Sequence, residues 1–239
     1  MDELPICKSG TEREEKMTNE DFYEKIDFDD VSTELVPELE SYLQLEYERI
    51  FGHSNRRDFL LDIGCGTGRF LNKIADDVQT VVGIDNSNTQ VERAVKNTKE
   101  KENITIELRD AEKLIFVQDN YFDLSCLTFN TYGNMDPRTQ ILAMDEAKRV
   151  TKPSGKIIVS VYSERAVPTQ LAQYAKHGFF ATNVTKDYVF AKNSEGIECI
   201  SQRFEKEDLR MRLSSSGFKD VVVLDLCDIA YLALVTPNK

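Results

Sequence analysis

Residues 60–70 read LLDIGCGTGRF, and they carry the densest chemical signal in the chain. A short apolar run ends at Asp62 and enters a turn with glycines at 64, 66 and 68 and the small Cys65 inside it. Glycines spaced this way remove side chains where backbone takes positive φ or must approach a ligand closely. The helical pattern that follows presents unpaired N–H groups from its opening turn. A dinucleotide site usually spaces its glycines G-x-G-x-x-G. Here that third glycine would fall on Arg69, and the spacing is G-x-G-x-G instead. Asp62, two residues before the first glycine, would repel a pyrophosphate and favours a cation such as an ammonium group. The phosphate loop G-x-x-x-x-G-K-[ST] is absent.

Presenting such a turn requires a buried strand before it and a helix after it, and the surrounding pattern supplies both. Apolar runs predict strands over 59–63, 80–84, 104–108, 122–129 and 156–162. Amphipathic stretches predict helices over 67–76, 88–101 and 137–150, with a turn at 151–155. That β-α rhythm implies a mostly parallel sheet with helices on both faces. A helix over 205–215 closes on Gly217, and strands over 218–225 and 229–235 follow, too closely joined to be anything but antiparallel. Residues 163–204 fit no βα unit. They hold a helix over 168–176, strand-like runs at 188–191 and 197–200, and NSEG turn residues that suggest a hairpin. Upstream, Pro37, Leu39, Leu43, Tyr47 and Ile50 mark one face of a helix, while Met1 to about Asn19 reads as a frayed terminus. The chain is thus expected to form one domain. It comprises an acidic helical extension or lid (1–55), a ligand-binding core (56–162), an inserted cap (163–204) and a C-terminal helix with two strands (205–239).

The motif LLDIGCGTGRF resembles the signature of class I, Rossmann-like S-adenosylmethionine (SAM)-dependent methyltransferases, and further matches follow it. GIDNS (83–87) matches the end of the second strand, where the family places a ribose-binding acid. The resemblance assigns that role to Asp85, with Asn86 beside it. A carboxylate suits two hydroxyls because each oxygen accepts, although a dinucleotide enzyme would use an acid there as well. RDAEKL (109–114) implies Asp110 and Ala111 at the adenine. YFDLSCLTFNTYGNM (121–135) matches the fourth strand and the loop beside the methyl-transfer position, with Phe129 facing the cofactor. RVTKPSGKIIVSVYS (149–163) resembles the turn into the fifth strand. The family's seven-stranded sheet also ends in an antiparallel pair. The resemblance therefore implies SAM as cofactor, held by Asp62, Gly64, Cys65, Gly66, Gly68, Asp85, Asn86, Asp110, Ala111 and Phe129.

A sulfonium is already an activated electrophile, so direct in-line transfer rests mainly on holding the acceptor and excluding water. A base is needed only if the acceptor must lose a proton. Candidates by position are Asn130 and Tyr132 after the fourth strand, Tyr162 at the end of the fifth, and His177 in the inserted segment. The fourth-strand sequence is FNTY, without the N/D-P-P-Y/F that marks many family members acting on planar nitrogens. With a cap and a lid, this favours a small-molecule acceptor. A protein or RNA methyltransferase and a non-catalytic SAM-binding regulatory subunit are the alternatives.

Bulk properties narrow the field further. The net charge is −12, yet residues 1–50 hold 16 Asp and Glu against 5 Lys and Arg, which leaves the rest near neutral. A nucleic-acid partner is disfavoured, since phosphate neutralisation needs a basic face. The five cysteines (Cys7, Cys65, Cys126, Cys199, Cys227) are scattered and lack C-x-x-C pairs. Reduced thiols in a cytoplasmic protein are expected, with no metal site. No apolar stretch of membrane-spanning or signal-peptide length occurs. The sequence sets no oligomeric state.

Overall fold

A computed structural model describes residues 19–26, 34–218 and 220–237. The frayed terminus expected before Asn19, including Cys7, lies outside them. Five strands form the parallel part of the main sheet: β1 (Phe59–Ile63), β2 (Thr80–Asp85), β3 (Ile104–Leu108), β4 (Phe122–Leu127) and β5 (Thr151–Tyr162). The C-terminal strands β9 (Asp220–Cys227) and β10 (Ala230–Thr236) complete it, in the order β3-β2-β1-β4-β5-β10-β9. Strand β10 runs antiparallel to both β5 and β9. The two-residue connection between the last two strands, Asp228 and Ile229, permits no other direction.

Helices cover both faces because the strands are apolar on both. On one side, α2 (Pro37–Phe51) and α3 (Arg69–Ile74) bury Leu39, Tyr42, Ile50, Phe70, Leu71 and Ile74 against Leu60, Val81, Leu124 and Leu232. On the other, α5 (Pro137–Val150) and α7 (Lys206–Ser215) bury Met144, Ala147, Leu209 and Leu213 against Leu61, Ile63, Val159 and Val161. Each such aliphatic side chain contributes about 1.5–3 kcal/mol when fully buried. The remaining core helix is α4 (Asn88–Asn97), whose Ser87 cap accepts from the Gln90 N–H. Gly217, at φ 81°, ends α7 as expected.

Residues 163–204 fold as α6 (Val167–Lys176) and a separate antiparallel sheet of β6 (Phe180–Val184), β7 (Tyr188–Lys192) and β8 (Glu198–Gln202). The NSEG hairpin joins β7 to β8 as expected, whereas β6 was not foreseen. All five of its residues are exposed, so no apolar alternation marks it. A short helix, α1 (Glu20–Lys25), packs Phe22 against Phe179, Ala191, Ile197 and Cys199 of this cap.

Among the boundaries that differ from expectation, three have a local cause in the backbone. The helix after the glycine turn begins at Arg69 rather than Thr67, because Gly68 is still at φ 80°. Strand β4 stops at Leu127, since Phe129 and Asn130 take φ 47° and 64°. The turn expected at 151–155 is an irregularity within β5. Thr151 pairs with Phe122, pairing resumes at Lys156 with Leu124, and a Cβ on Gly155 would sit 2.6 Å from the Asp123 carbonyl.

Candidate active site

The carboxyl ends of β1, β2, β3 and β4 open onto one cavity of about 1010 Å³, bounded across its mouth by Asn19 and Tyr23 at α1. Ligands in sheets of this topology bind there. Gly64, Cys65 and Gly66 line it, with Asp85, Asn86, Asp110, Ala111 and Phe129. The sequence-predicted residues from four separate strand ends therefore meet in one space.

The turn is held from below. The N–H groups of Gly64 and Cys65 donate to the Ile84 carbonyl at 2.8 and 2.9 Å, and the Gly66 N–H donates to Asp85 Oδ2 at 2.9 Å. Asp85 Oδ1 accepts from the Ser87 N–H at 3.0 Å. Each of its oxygens retains a further lone pair for a hydroxyl donor. Burial pushes the Asp85 carboxyl above the usual carboxylate range, while the N–H groups of Ser87, Gly66 and Asn86 draw it down. The glycines divide by role. A Cβ on Gly66 would meet nothing within 4 Å, so this position faces open cavity. A Cβ on Gly68 would lie 3.0 Å from Thr98 Cγ2 and 3.2 Å from Ala94 Cβ. Gly68 therefore lets α4 pack against the turn and does not line the cavity.

Three other expected residues also lie outside the cavity lining. Asp62 is fully buried beneath the turn, with neither carboxylate oxygen hydrogen-bonded. Desolvation holds its carboxyl well above the usual range, with Glu46 adding to the effect. It does not face a ligand cation directly. Tyr132 turns into the core, 5.7 Å from the Phe204 ring. Asn130 is fully buried and structural: its Oδ1 accepts from the Tyr162 N–H, and its Nδ2 donates to Asn134 and Ser201. The loop's backbone conformation demanded an Asn, which tolerates positive φ.

Beside the main cavity lies a smaller chamber of about 60 Å³, sharing Asn19, Tyr23, Phe129 and Asn134 with it. Phe22, Tyr162, Tyr174 and Phe179 give it aromatic walls, and His177 also lines it. Burial raises the phenols of Tyr23, Tyr162 and Tyr174 far above their ordinary value, so all three remain protonated. The Val36 N–H donates to Gln173 Oε1 at 3.0 Å, which turns the Gln173 amide nitrogen toward His177 Nε2 at 2.9 Å. His177 Nε2 also lies 3.3 Å from the Glu34 carbonyl, so the tautomer decides which of the two neighbours it engages.

Several lining residues gave no signal in the sequence. Asn19 donates to the Asn134 and Ile200 carbonyls and accepts from the Ile200 N–H, so it ties α1 to the cap and to the loop after β4. The Tyr23 hydroxyl accepts from Asn134 Nδ2 at 2.8 Å. The far end of α1 is fixed to α4: Ser87 Oγ and Gln90 Nε2 donate to the Tyr23 carbonyl, and Glu24 accepts from the Asn88 N–H. Glu46, on α2, reaches under the site. It accepts from the Phe129 N–H at 2.7 Å and hydrogen-bonds the Ser160 hydroxyl. This contact supports Phe129 at a φ that costs a bulky side chain about 1–3 kcal/mol. Residues 64–181 apart in sequence meet in these contacts, so no local pattern could have announced them.

The site fits SAM. The cavity exceeds the volume usual for small-ligand sites, Gly66 is open where backbone must approach a ligand, and a ribose acceptor and adenine-side residues stand at successive strand ends. Among the described residues, no group of three or more His, Cys, Asp or Glu could hold a metal. No helix among them is long and apolar enough to cross a membrane.

Comparison with known proteins agrees with this geometry. Residues 55–212 match a family model described as a methyltransferase domain. A demethylmenaquinone methyltransferase of Staphylococcus aureus is 31% identical over 170 residues, covering 68% of this chain and 68% of that protein. Among solved structures, a Pyrococcus horikoshii OT3 protein superposes with a TM-score of 0.69 at 21% identity, over 84% of this chain and 92% of that one. The DhpI–SAH complex does so at 0.69 and 14% identity, over 92% and 95%. At such identities the structural likeness establishes the fold, and the family match carries the activity. The chain belongs to the methyltransferase domain family and is a class I SAM-dependent methyltransferase.

Proposed function

We propose that the acceptor is a small molecule whose reactive, ring-bearing or apolar end enters the aromatic chamber beside the cofactor cavity. That chamber is the observation that carries the reading. It is roofed by α1 and the cap, and it suits a small apolar group better than a polymer strand. Its volume limits what enters. A cavity of roughly 150 Å³ accommodates benzene, so a chamber of about 60 Å³ takes only part of a ring, and the rest of the acceptor lies in the larger cavity. The 31% identical relative is named for a demethylmenaquinone substrate, which supports an acceptor of this kind without naming it. The acidic extension and near-neutral core count against a nucleic-acid acceptor.

When bound, SAM supplies an activated methyl group. We assign the cofactor grip to Gly64, Cys65, Gly66, Asp85, Asn86, Asp110, Ala111 and Phe129, with Asp62 and Gly68 supporting the turn from outside the cavity. Phe129 lines both spaces and separates the two ligands. Tyr162, a protonated phenol, can orient the acceptor by donating a hydrogen bond but cannot take its proton. His177 is the chamber side chain suited to accept a proton where the acceptor requires it. Residues 19–26 and 34–51 act as lid, and residues 163–204 as cap, of a single domain that excludes water from the transfer. The unpaired thiols of Cys65, Cys126, Cys199 and Cys227 suit a reducing cytoplasm.

The test is incubation with SAM labelled in the methyl group and fractionated cell extract. Label should enter a small, organic-extractable product. Label confined to protein or RNA would overturn the acceptor assignment.

A further inference from the structure

The hydroxyls and amides that line the aromatic chamber are nearly all engaged within the protein. Asn19 bonds to Asn134 and Ile200, and Asn134 donates to Tyr23. Ser201 donates to Asn134 while accepting from Asn130 and Gln170. Gln173 accepts from the Val36 N–H, and Tyr174 sits against Ser201 and Cys199. Tyr162 differs. Its N–H accepts no competitor, donating to Asn130 Oδ1 at 2.9 Å, and its carbonyl accepts from the Phe204 N–H at 3.0 Å. Its ring is held 5.9 Å from that of Tyr42 and 6.2 Å from that of Phe129, centroid to centroid. Among the described residues, however, its hydroxyl has no partner. Tyr162 is 8% exposed and lines the chamber, and its oxygen is not sealed off as those of Asp62 are. A phenol fixed through its backbone and its ring, and kept protonated by burial, is a preorganised donor. No Asp, Glu, Lys or Arg among the described residues lines the chamber. A charged group entering it would therefore lose its hydration and gain no ion-pair partner.

We propose that the acceptor is an uncharged planar ring bearing a hydroxyl or carbonyl oxygen, and that the Tyr162 hydroxyl is the donor that selects it. The proposal rests on the chamber as the acceptor's site and deepens that reading by naming the substrate's chemical class. A buried hydroxyl without a partner is costly, and an oxygen on the ring supplies the missing bond. An isostere lacking that oxygen leaves the bond unmade. The lack of carboxylates in the walls disfavours an ammonium group, and the lack of cations disfavours a carboxylate. Because the Tyr162 ring stands beside Phe129, which lines both spaces, the oxygen it holds also fixes how the ring is presented to the cofactor cavity. Tyr162 is thus a specificity-determining residue that acts on binding and not on proton transfer.

The test is calorimetric titration of naphthalene probes into the protein saturated with S-adenosylhomocysteine. The probes are 2-naphthol, 2-methylnaphthalene, 2-naphthoate and 2-(aminomethyl)naphthalene. From wild type to Tyr162→Phe, the affinity for 2-naphthol relative to 2-methylnaphthalene should fall by about 3- to 10-fold, the range for one net hydrogen bond. The affinity for 2-methylnaphthalene itself should stay the same. The wild type should bind each charged probe at least about tenfold more weakly than 2-naphthol. Since the hydroxyl has no partner in the protein, Tyr162→Phe should melt with the wild type. A measurement on the wild type alone is the carbonyl stretch of bound 2-acetylnaphthalene, which should lie below its frequency in an apolar solvent. An unchanged naphthol-to-methylnaphthalene ratio in Tyr162→Phe, a charged probe that binds as tightly as 2-naphthol, or an unshifted carbonyl stretch would each overturn the proposal and leave the chamber as the acceptor's site. Failure of every probe to bind the saturated protein would remove that site assignment, and this proposal with it.

Discussion

Gly66 and Gly68 sit two residues apart in one turn, both at positive φ (52° and 80°), yet alanine should act mainly on cofactor binding at the first and mainly on stability at the second. The left-handed region costs a non-glycine residue about 1–2 kcal/mol at either position. At Gly66 the new methyl meets nothing within 4 Å, so that backbone cost is the whole effect on stability. For a chain of this size, with about 2–4 °C lost per kcal/mol, the melting temperature should fall by about 2–8 °C. The methyl would stand in the cavity where SAM approaches the backbone, and the dissociation constant should rise by about 30-fold or more, some 2 kcal/mol. At Gly68 the methyl would lie 3.0 Å from Thr98 Cγ2 and 3.3 Å from Ala94 Cα. Overpacking of that kind adds about 1–3 kcal/mol, so Gly68→Ala should lose about 4–20 °C. Whatever cofactor binding it loses should follow from displacement of the turn. Differential scanning calorimetry of the two variants, with titration of S-adenosylhomocysteine into each at 15 °C, separates the effects. The reasoning fails if Gly66→Ala binds like the wild type, or if Gly68→Ala abolishes binding while melting no lower than Gly66→Ala.

Three further outcomes follow from the same geometry. Asp62 has its folded pKa raised by burial, so its contribution to stability is intact below the unfolded carboxylate value and is lost as pH rises toward the folded one. Asp62→Asn should therefore melt close to the wild type near pH 4 and above it near pH 8; a constant difference across that range would refute this. His177→Gln should lower the transfer rate by about 100-fold. Tyr162→Phe should cost far less, because the phenol is never the base. Single-turnover rates of both variants with the identified acceptor check this pair. Asn19→Ala removes the three hydrogen bonds that fasten α1 to Asn134 and Ile200. Amide exchange over 20–26 should accelerate by about tenfold or more, with KM for the acceptor rising more than kcat falls; unchanged exchange would show that the aromatic contacts of Phe22 hold α1 alone.

The sequence by itself determined the parallel sheet, the helices on its two faces, the closing antiparallel pair and the cofactor end of the site. Those features are local. A strand, its glycine turn and the acid at the next strand's end are each written within a dozen residues, and parallel β-α order brings the strand ends to one edge. Even there, side-chain direction was not legible: Asp62 and Tyr132 look equally available in the chain, and only packing turned the one beneath the turn and the other into the core. The tertiary structure alone decided the acceptor chamber, since its walls come from α1, α2, the cap and the loop after β4. It also made Glu46 the support of Phe129, and placed the closure over the cavity on α1 rather than on the longer α2. A hydrogen bond between residues more than a hundred positions apart has no periodicity to betray it, and an exposed strand such as β6, paired on one side only, has no apolar alternation.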